Sequence, residues 1–215
     1  MSQQLEANVP PYVIVAAVDG SDMTDVVLQH AIDLARRHDR AVVHVVGVVS
    51  IGRGIFAKTS DQDARMDEME AHLRARAEEA TADLAADQGV HVTLHVRAGV
   101  PWEEILDVAA ETEAHLIVLG RHGWGGRRSR LVGSVSERIA RMAPCSVWLV
   151  QPPDYAAYRD EEAREEPCAA CVEARRTSNG EVWFCEAHRA GTDERRFTTI
   201  VSGGGYPIQP GFGLF

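Results

Sequence analysis

The sequence has no apolar run long enough to cross a bilayer, for which a helix needs roughly 20 consecutive apolar residues. This excludes a membrane-spanning helix. Net positive charge is also missing: 22 Lys and Arg stand against 32 Asp and Glu, a formal net charge of -10. An acidic surface repels phosphate backbones and excludes non-specific nucleic-acid binding. The stretch Met1 to Pro11 is polar and has no apolar signal-peptide core, so the chain is expected in the cytoplasm. Cysteine is scarce. Of four, Cys145 stands alone, while Cys168, Cys171 and Cys185 cluster in the last quarter. In a reducing compartment such a cluster reads as a metal site before a disulfide framework. No nucleophile–base pair stands in a recognised context, so no catalytic residue is assigned.

What is present is an alternation. Tyr12–Val18, Ala41–Val49, Val90–Val96, His115–Leu119 and Ser146–Val150 are short apolar, β-branched runs that read as buried strands. Helical patterns separate them. Val27, Ala31, Leu34 and Ala35 share one face after the first strand. Met66, Met69, Leu73, Ala77, Ala80 and Leu84 form a stripe on a long amphipathic helix over about 61–87, with Gly89 as its expected stop. Pro101 opens a helix to Glu111, and Ser134 opens another to Met142. Five strands alternating with four helices predict an α/β fold, a doubly wound, Rossmann-like parallel sheet in the order 3-2-1-4-5.

Ligands of such sheets bind beyond the carboxyl ends of the strands, where strand order reverses. Two loops meet there. Asp19-Gly20-Ser21 follows strand one, and Gly120-x2-Gly123-x9-Gly133-Ser134 follows strand four. Glycines let backbone approach a ligand closely, and Ser134 stands where a helix N-terminus attracts anions. By itself the glycine run fits a tight turn equally well; its convergence with Asp19 favours a phosphate cradle.

The segment from about Tyr12 to Pro152 resembles a universal stress protein domain of the ATP-binding branch. The likeness rests on Val18-Asp19-Gly20-Ser21, His44-Val45-Val46, Gly99-Val100-Pro101, Gly120-Arg121-His122-Gly123 running to Gly133-Ser134-Val135-Ser136, and Ala143-Pro144-Cys145. It implies ATP in the crevice, with or without Mg2+ or Mn2+. Asp19 would lie at the ribose or a phosphate-bound metal, with Ala17 and Val18 before it in the nucleotide site, and Val45 would bond adenine through its backbone. Gly120 and Gly123 would shape the phosphate loop, and Gly133, Ser134 and Val135 would donate to phosphates, with Ser136 following in the same site. His122 either touches a phosphate or fills the turn. Arg121, Arg127, Arg128 and Arg130 are phosphate contacts or a solvated basic loop, and Trp124 covers the nucleotide or packs on a partner. The resemblance also implies a homodimer through strand five, whose apolar edge Val147-Trp148-Leu149-Val150 invites pairing.

The chain changes character after residue 152. An acidic linker (153–166) precedes Cys168-x2-Cys171-x13-Cys185-x2-His188, the spacing of a structural zinc knuckle over 167–190. Ser178-Asn179-Gly180 reads as a hairpin turn and Val182-Trp183-Phe184 as its returning strand, making a zinc-ribbon-like appendage. A histidine as fourth ligand disfavours an iron–sulfur cluster, and Val172 after Cys171 disfavours covalent haem. Residues 191–215 form a Gly- and Pro-rich tail.

Three functions compete. The first is a cytoplasmic ATP-binding stress regulator, at most a slow hydrolase, whose zinc module contacts an unknown protein partner. The second is a nucleotide hydrolase or transferase using Asp19 and a divalent cation. The third is a structural adaptor without nucleotide. The intact glycine motif argues against the third, and the lack of an evident general base argues against the second.

Overall fold

The computed structural model describes residues 10–50, 59–84, 89–122, 132–156 and 166–189. The chain divides into two units, Met1–Pro152 and Pro153–Phe215.

In the first unit the elements run β1 (Tyr12–Val18), α1 (Met23–Ala35), β2 (Ala41–Ser50), α2 (Thr59–Thr81), β3 (Val90–Gly99), α3 (Pro101–Glu111), β4 (Leu116–Gly120), α4 (Ser134–Met142) and β5 (Ser146–Val150). The strands form one sheet in the order β3-β2-β1-β4-β5, and every pairing is parallel. This is the predicted α/β topology. Its cause is visible along the strands: the apolar runs do not alternate because both faces are covered. Ile14, Ala16, Val43, Val45, Leu116 and Val118 are buried together with residues of α1 and α2. Val15, Ala17, Val46, Ile117 and Leu119 are buried together with residues of α3 and α4.

In this unit the structure moves the expected end of the long helix. Helix α2 ends at Thr81, so Gly89 does not stop it. Gly89 has φ +64, and a Cβ there would collide with the Asp39 carbonyl. Its own carbonyl accepts from the Ala41 N–H at 3.0 Å. Gly89 therefore seats the start of β3 against the turn into β2.

Midway along the β2/β3 pair, His44 Nδ1 lies 2.8 Å from His95 Nε2. Burial pushes both imidazoles below the ordinary 6.5. The His95 charge adds to this for His44, and Arg97 adds to it for His95 against an opposing pull from Glu111. The unfolded chain thus binds protons more readily than the fold, and stability is lost as pH falls. The denaturant midpoint should be flat above about pH 6.5 and decline as pH drops through the two lowered values. His95→Gln should flatten that decline, as urea titrations at a series of pH values would report.

In the second unit the described elements are α5 (Ala169–Thr177) and α6 (Glu186–Arg189). The expected hairpin is absent among the described residues. The Ser178-Asn179-Gly180 turn terminates α5 instead: Asn179 and Gly180 have φ 52 and 85, and the Gly180 N–H donates to the Arg175 carbonyl at 2.9 Å. The left-handed backbone that suits a hairpin turn suits a helix C-terminus equally. Ala169-Ala170-x-x-Glu173-Ala174-Arg175-Arg176 supplies the helix formers that decide between them. Val182-Trp183-Phe184 is irregular chain, not a strand.

Candidate functional site

A cleft of about 770 Å³ opens beyond the carboxyl ends of β1, β2 and β4. Ala17, Val18, Asp19, Gly120, His122, Gly133, Ser134, Val135 and Ser136 all line it, so nine positions named from the sequence converge.

Its walls are built by local hydrogen bonding. Asp19 Oδ1 accepts the Ser21 N–H at 3.1 Å and Ser21 Oγ accepts the Met23 N–H at 3.3 Å. These bonds turn the chain from β1 into α1. Across the cleft, the Ser136 hydroxyl donates to the Gly120 carbonyl at 2.8 Å, and the Gly133 N–H donates to the Arg121 carbonyl at 2.9 Å. Strand exit and helix start are thereby clamped together. The first intrahelical bond of α4 runs from the Glu137 N–H to the Gly133 carbonyl at 2.8 Å. The N–H groups of Ser134, Val135 and Ser136 precede it and carry the positive end of the helix dipole. A Cβ on Gly120 would stand 3.0 Å from the His122 carbonyl and 3.2 Å from Met23 Cβ, so any other residue would have to push that backbone back by a few tenths of an ångström.

Two named positions stand elsewhere. Val45 is fully buried, flanked by Ala16 of β1 and Leu94 of β3. It is not among the residues lining the cleft; Val48, Val49 and Ser50 of the same strand are. Arg121 does not line the cleft either, and its Nη1 donates to Gln151 Oε1 at 3.1 Å. Gly123, Trp124, Arg127, Arg128 and Arg130 lie outside the described residues, as do 157–165 of the acidic linker and the tail from 190 to 215.

Thr24 and His72 also line the cleft, and sequence reasoning did not select them. Helical periodicity carries no signal that α1 and α2 would aim polar atoms at one crevice.

The second unit gathers Cys168, Cys171, Cys185 and His188, with one ligand atom from each within 4.8 Å of all the others. Cys168 precedes the first turn of α5, Cys171 lies on that turn, Cys185 precedes α6 and His188 lies on it. Cys171 Sγ stands 3.6 Å from Cys185 Sγ and 3.2 Å from His188 Nδ1, while Cys185 Sγ stands 3.5 Å from His188 Nδ1. The Cys185 N–H points at Cys171 Sγ at 3.4 Å, and the Cys171 N–H beside Cys168 pushes that thiol down. A disulfide needs about 2.05 Å. The edges of a zinc tetrahedron with bonds of about 2.3 Å to sulfur and 2.0–2.1 Å to nitrogen are about 3.8 and 3.6 Å. The 3.6 and 3.5 Å spacings lie close to those edges, and the 3.2 Å spacing is shorter. The cysteine outside this group, Cys145, packs beside the α3/α4 core cluster, and burial pushes its thiol up; it is a small apolar side chain there.

Comparison with known proteins gives one consistent result. A family model described as the universal stress protein family matches residues 13–151. A universal stress protein of Methanocaldococcus jannaschii is 31% identical over 140 residues, covering 65% of this chain and 82% of that protein. One from Bacillus subtilis is 28% identical over 148 residues, 64% of this chain and 97% of its own length. Among solved structures, a universal stress protein from Lactobacillus plantarum shares the fold with a TM-score of 0.56 at 24% identity, over 67% of this chain and 100% of that one. The cysteine and histidine cluster lies beyond the matched span.

Proposed function

The chain belongs to the universal stress protein family, and from that premise we propose that it is a stress-response regulator that binds ATP in the switch-point cleft. The observation that carries this reading is the open N-terminus of α4 facing the same crevice as the Asp19 turn. The residues present fit the ligand. Three N–H groups with the dipole behind them suit phosphate oxygens, and the glycine corner at Gly120 leaves backbone exposed at close range. Ser134, Val135 and Ser136 would hold phosphates, and Asp19 would take a Mg2+ or Mn2+ ion, as hard cations prefer carboxylate oxygen. The triphosphate would supply a charged, divalent-binding group, and the chain's part is to bind and orient it. Mass spectrometry of the native protein should find an adenine nucleotide, and calorimetry should give close to one ATP per chain. A protein that takes up no nucleotide would defeat the reading, and sustained ATP turnover with Mg2+ would favour the hydrolase alternative.

A second observation supports a second ligand. Cys171, Cys185 and His188 hold their ligand atoms 3.2–3.6 Å apart, near the edge lengths of a zinc tetrahedron, and Cys168 lies within 4.8 Å of all three. Cys168, Cys171, Cys185 and His188 are the ligands we propose for one Zn2+, in a cytoplasmic setting that keeps the thiols reduced. The module would serve partner contact or sensing. We infer a domain division along the same lines: a nucleotide-binding core over 12–152 and a zinc module over 167–190.

Assembly follows from the sheet edge. Among the described residues β5 pairs only β4, and Trp148 on it is 41% exposed. Edge strands of this kind seek partners. We expect a homodimer through β5, and Trp148→Glu should convert it to monomer at micromolar concentration in sedimentation. A wild-type monomer under those conditions would refute the interface.

A further inference from the structure

Thr24 Oγ1 and His72 Nε2 are buried atoms without a hydrogen-bond partner among the described residues. Both belong to residues that line the cleft. Native structures rarely leave such groups unpaired, because the lost hydration is not replaced. Other residues of the same types show the usual solution. Thr81, Thr112 and Thr177 each donate to the carbonyl four residues back, at 2.7, 2.7 and 2.8 Å. His30 Nδ1 meets the Val26 carbonyl at 2.8 Å. Thr24 is one residue into α1, where no helical carbonyl lies four residues behind it, and it is only 2% exposed. His72 reaches from α2 toward the Asp19 turn, its Nε2 3.8 Å from where a Cβ on Gly20 would lie.

The surroundings say what kind of group would pair them. Val27, Val49, Met69 and Ile105 share this cleft, and apolar walls suit a flat ring. Phosphate would be drawn to the N–H groups of α4. A hydroxyl and an imidazole suit a neutral edge that offers both a donor and an acceptor. We propose that Thr24 and His72 read the base edge of the nucleotide and set its preference for adenine over guanine. The two purines differ there: adenine presents a ring nitrogen beside an amino group, guanine a ring nitrogen beside a carbonyl. This inference rests on the nucleotide reading above.

Calorimetry with ATP, GTP and inorganic tripolyphosphate tests it, on wild type, Thr24→Val and His72→Leu. Wild type should prefer ATP to GTP. Each variant should bind ATP about tenfold more weakly and narrow the ATP/GTP ratio, since a site built for hydrogen bonds discriminates through them. Tripolyphosphate affinity should be unchanged. The ligand-free variants should melt at or above the wild-type temperature, because each replaces an unpaired polar atom with an apolar one. An equal loss for ATP and tripolyphosphate would show a structural role and overturn the proposal. So would ATP binding or an ATP/GTP ratio that neither variant alters. Wild type that binds tripolyphosphate but not ATP, or neither, refutes the nucleotide reading itself.

Discussion

Chelating zinc from the intact chain is expected to melt residues 166–189 while the sheet of the first unit stays folded. The reason is what holds the second unit. Among its described residues Cys171, at 5% exposure, is the buried one, whereas Val172 and Trp183 are 45% and 59% exposed. The described side chains so placed make no apolar core, so the proposed metal–thiolate bonds would supply the folding free energy, on the order of 10–16 kcal/mol in small zinc modules at neutral pH. Hydrogen exchange should show the amides of α5 losing protection on chelation or in Cys185→Ser, with β1 and β4 unchanged. Zinc uptake by the apo protein should release protons, because cysteine binds as thiolate. Protection in α5 that survives chelation would show that the tail folds without metal.

A Gly133→Val protein should lose ATP affinity by about a hundredfold or more, a change of about 2.7 kcal/mol, with its melting temperature almost unmoved. Gly133 is the N-cap of α4, at φ −59 and ψ 149, a conformation open to any residue. A Cβ there meets the Arg121 carbonyl at an ordinary 3.4 Å, so the fold accepts it. The added bulk stands at the mouth of the N–H cradle, where phosphate oxygens need close approach. Gly120→Val is the contrasting variant. Its Cβ would press on backbone at 3.0 Å, so it should destabilise the fold as well as the site. Unchanged ATP affinity in folded Gly133→Val would place the phosphates elsewhere.

The parts of the molecule legible in sequence are those where chain chemistry acts locally. The buried strand runs, the Pro101 helix start and the Asp19 turn are each specified by neighbours in sequence, and their alternation points to a doubly wound parallel sheet, though alternation alone does not select its strand order. Val45 shows the limit: a β2 residue's position along the sheet, not its identity, decides whether it reaches the cleft, and the strand runs on to Ser50. The tail shows another. Asn179-Gly180 dictates a left-handed backbone but not the element that it ends. Thr24 and His72 were illegible for a third reason: an unpaired atom is a property of packing between α1, α2 and the sheet, which no local pattern encodes.

The central position of β1 has a consequence for synthesis. Its neighbour on one side, β2, leaves the ribosome soon after it, with Tyr12 opposite Ala41. Its neighbour on the other side is β4, with Ile14 opposite Leu116, a hundred residues later in translation. At roughly 5–20 residues per second, the nascent chain carries a half-built sheet with one bare apolar flank for several seconds. During that interval the open side of β1 is a target for chaperones and for β1 of a neighbouring nascent chain, a vulnerability that ends when residues 116–120 arrive.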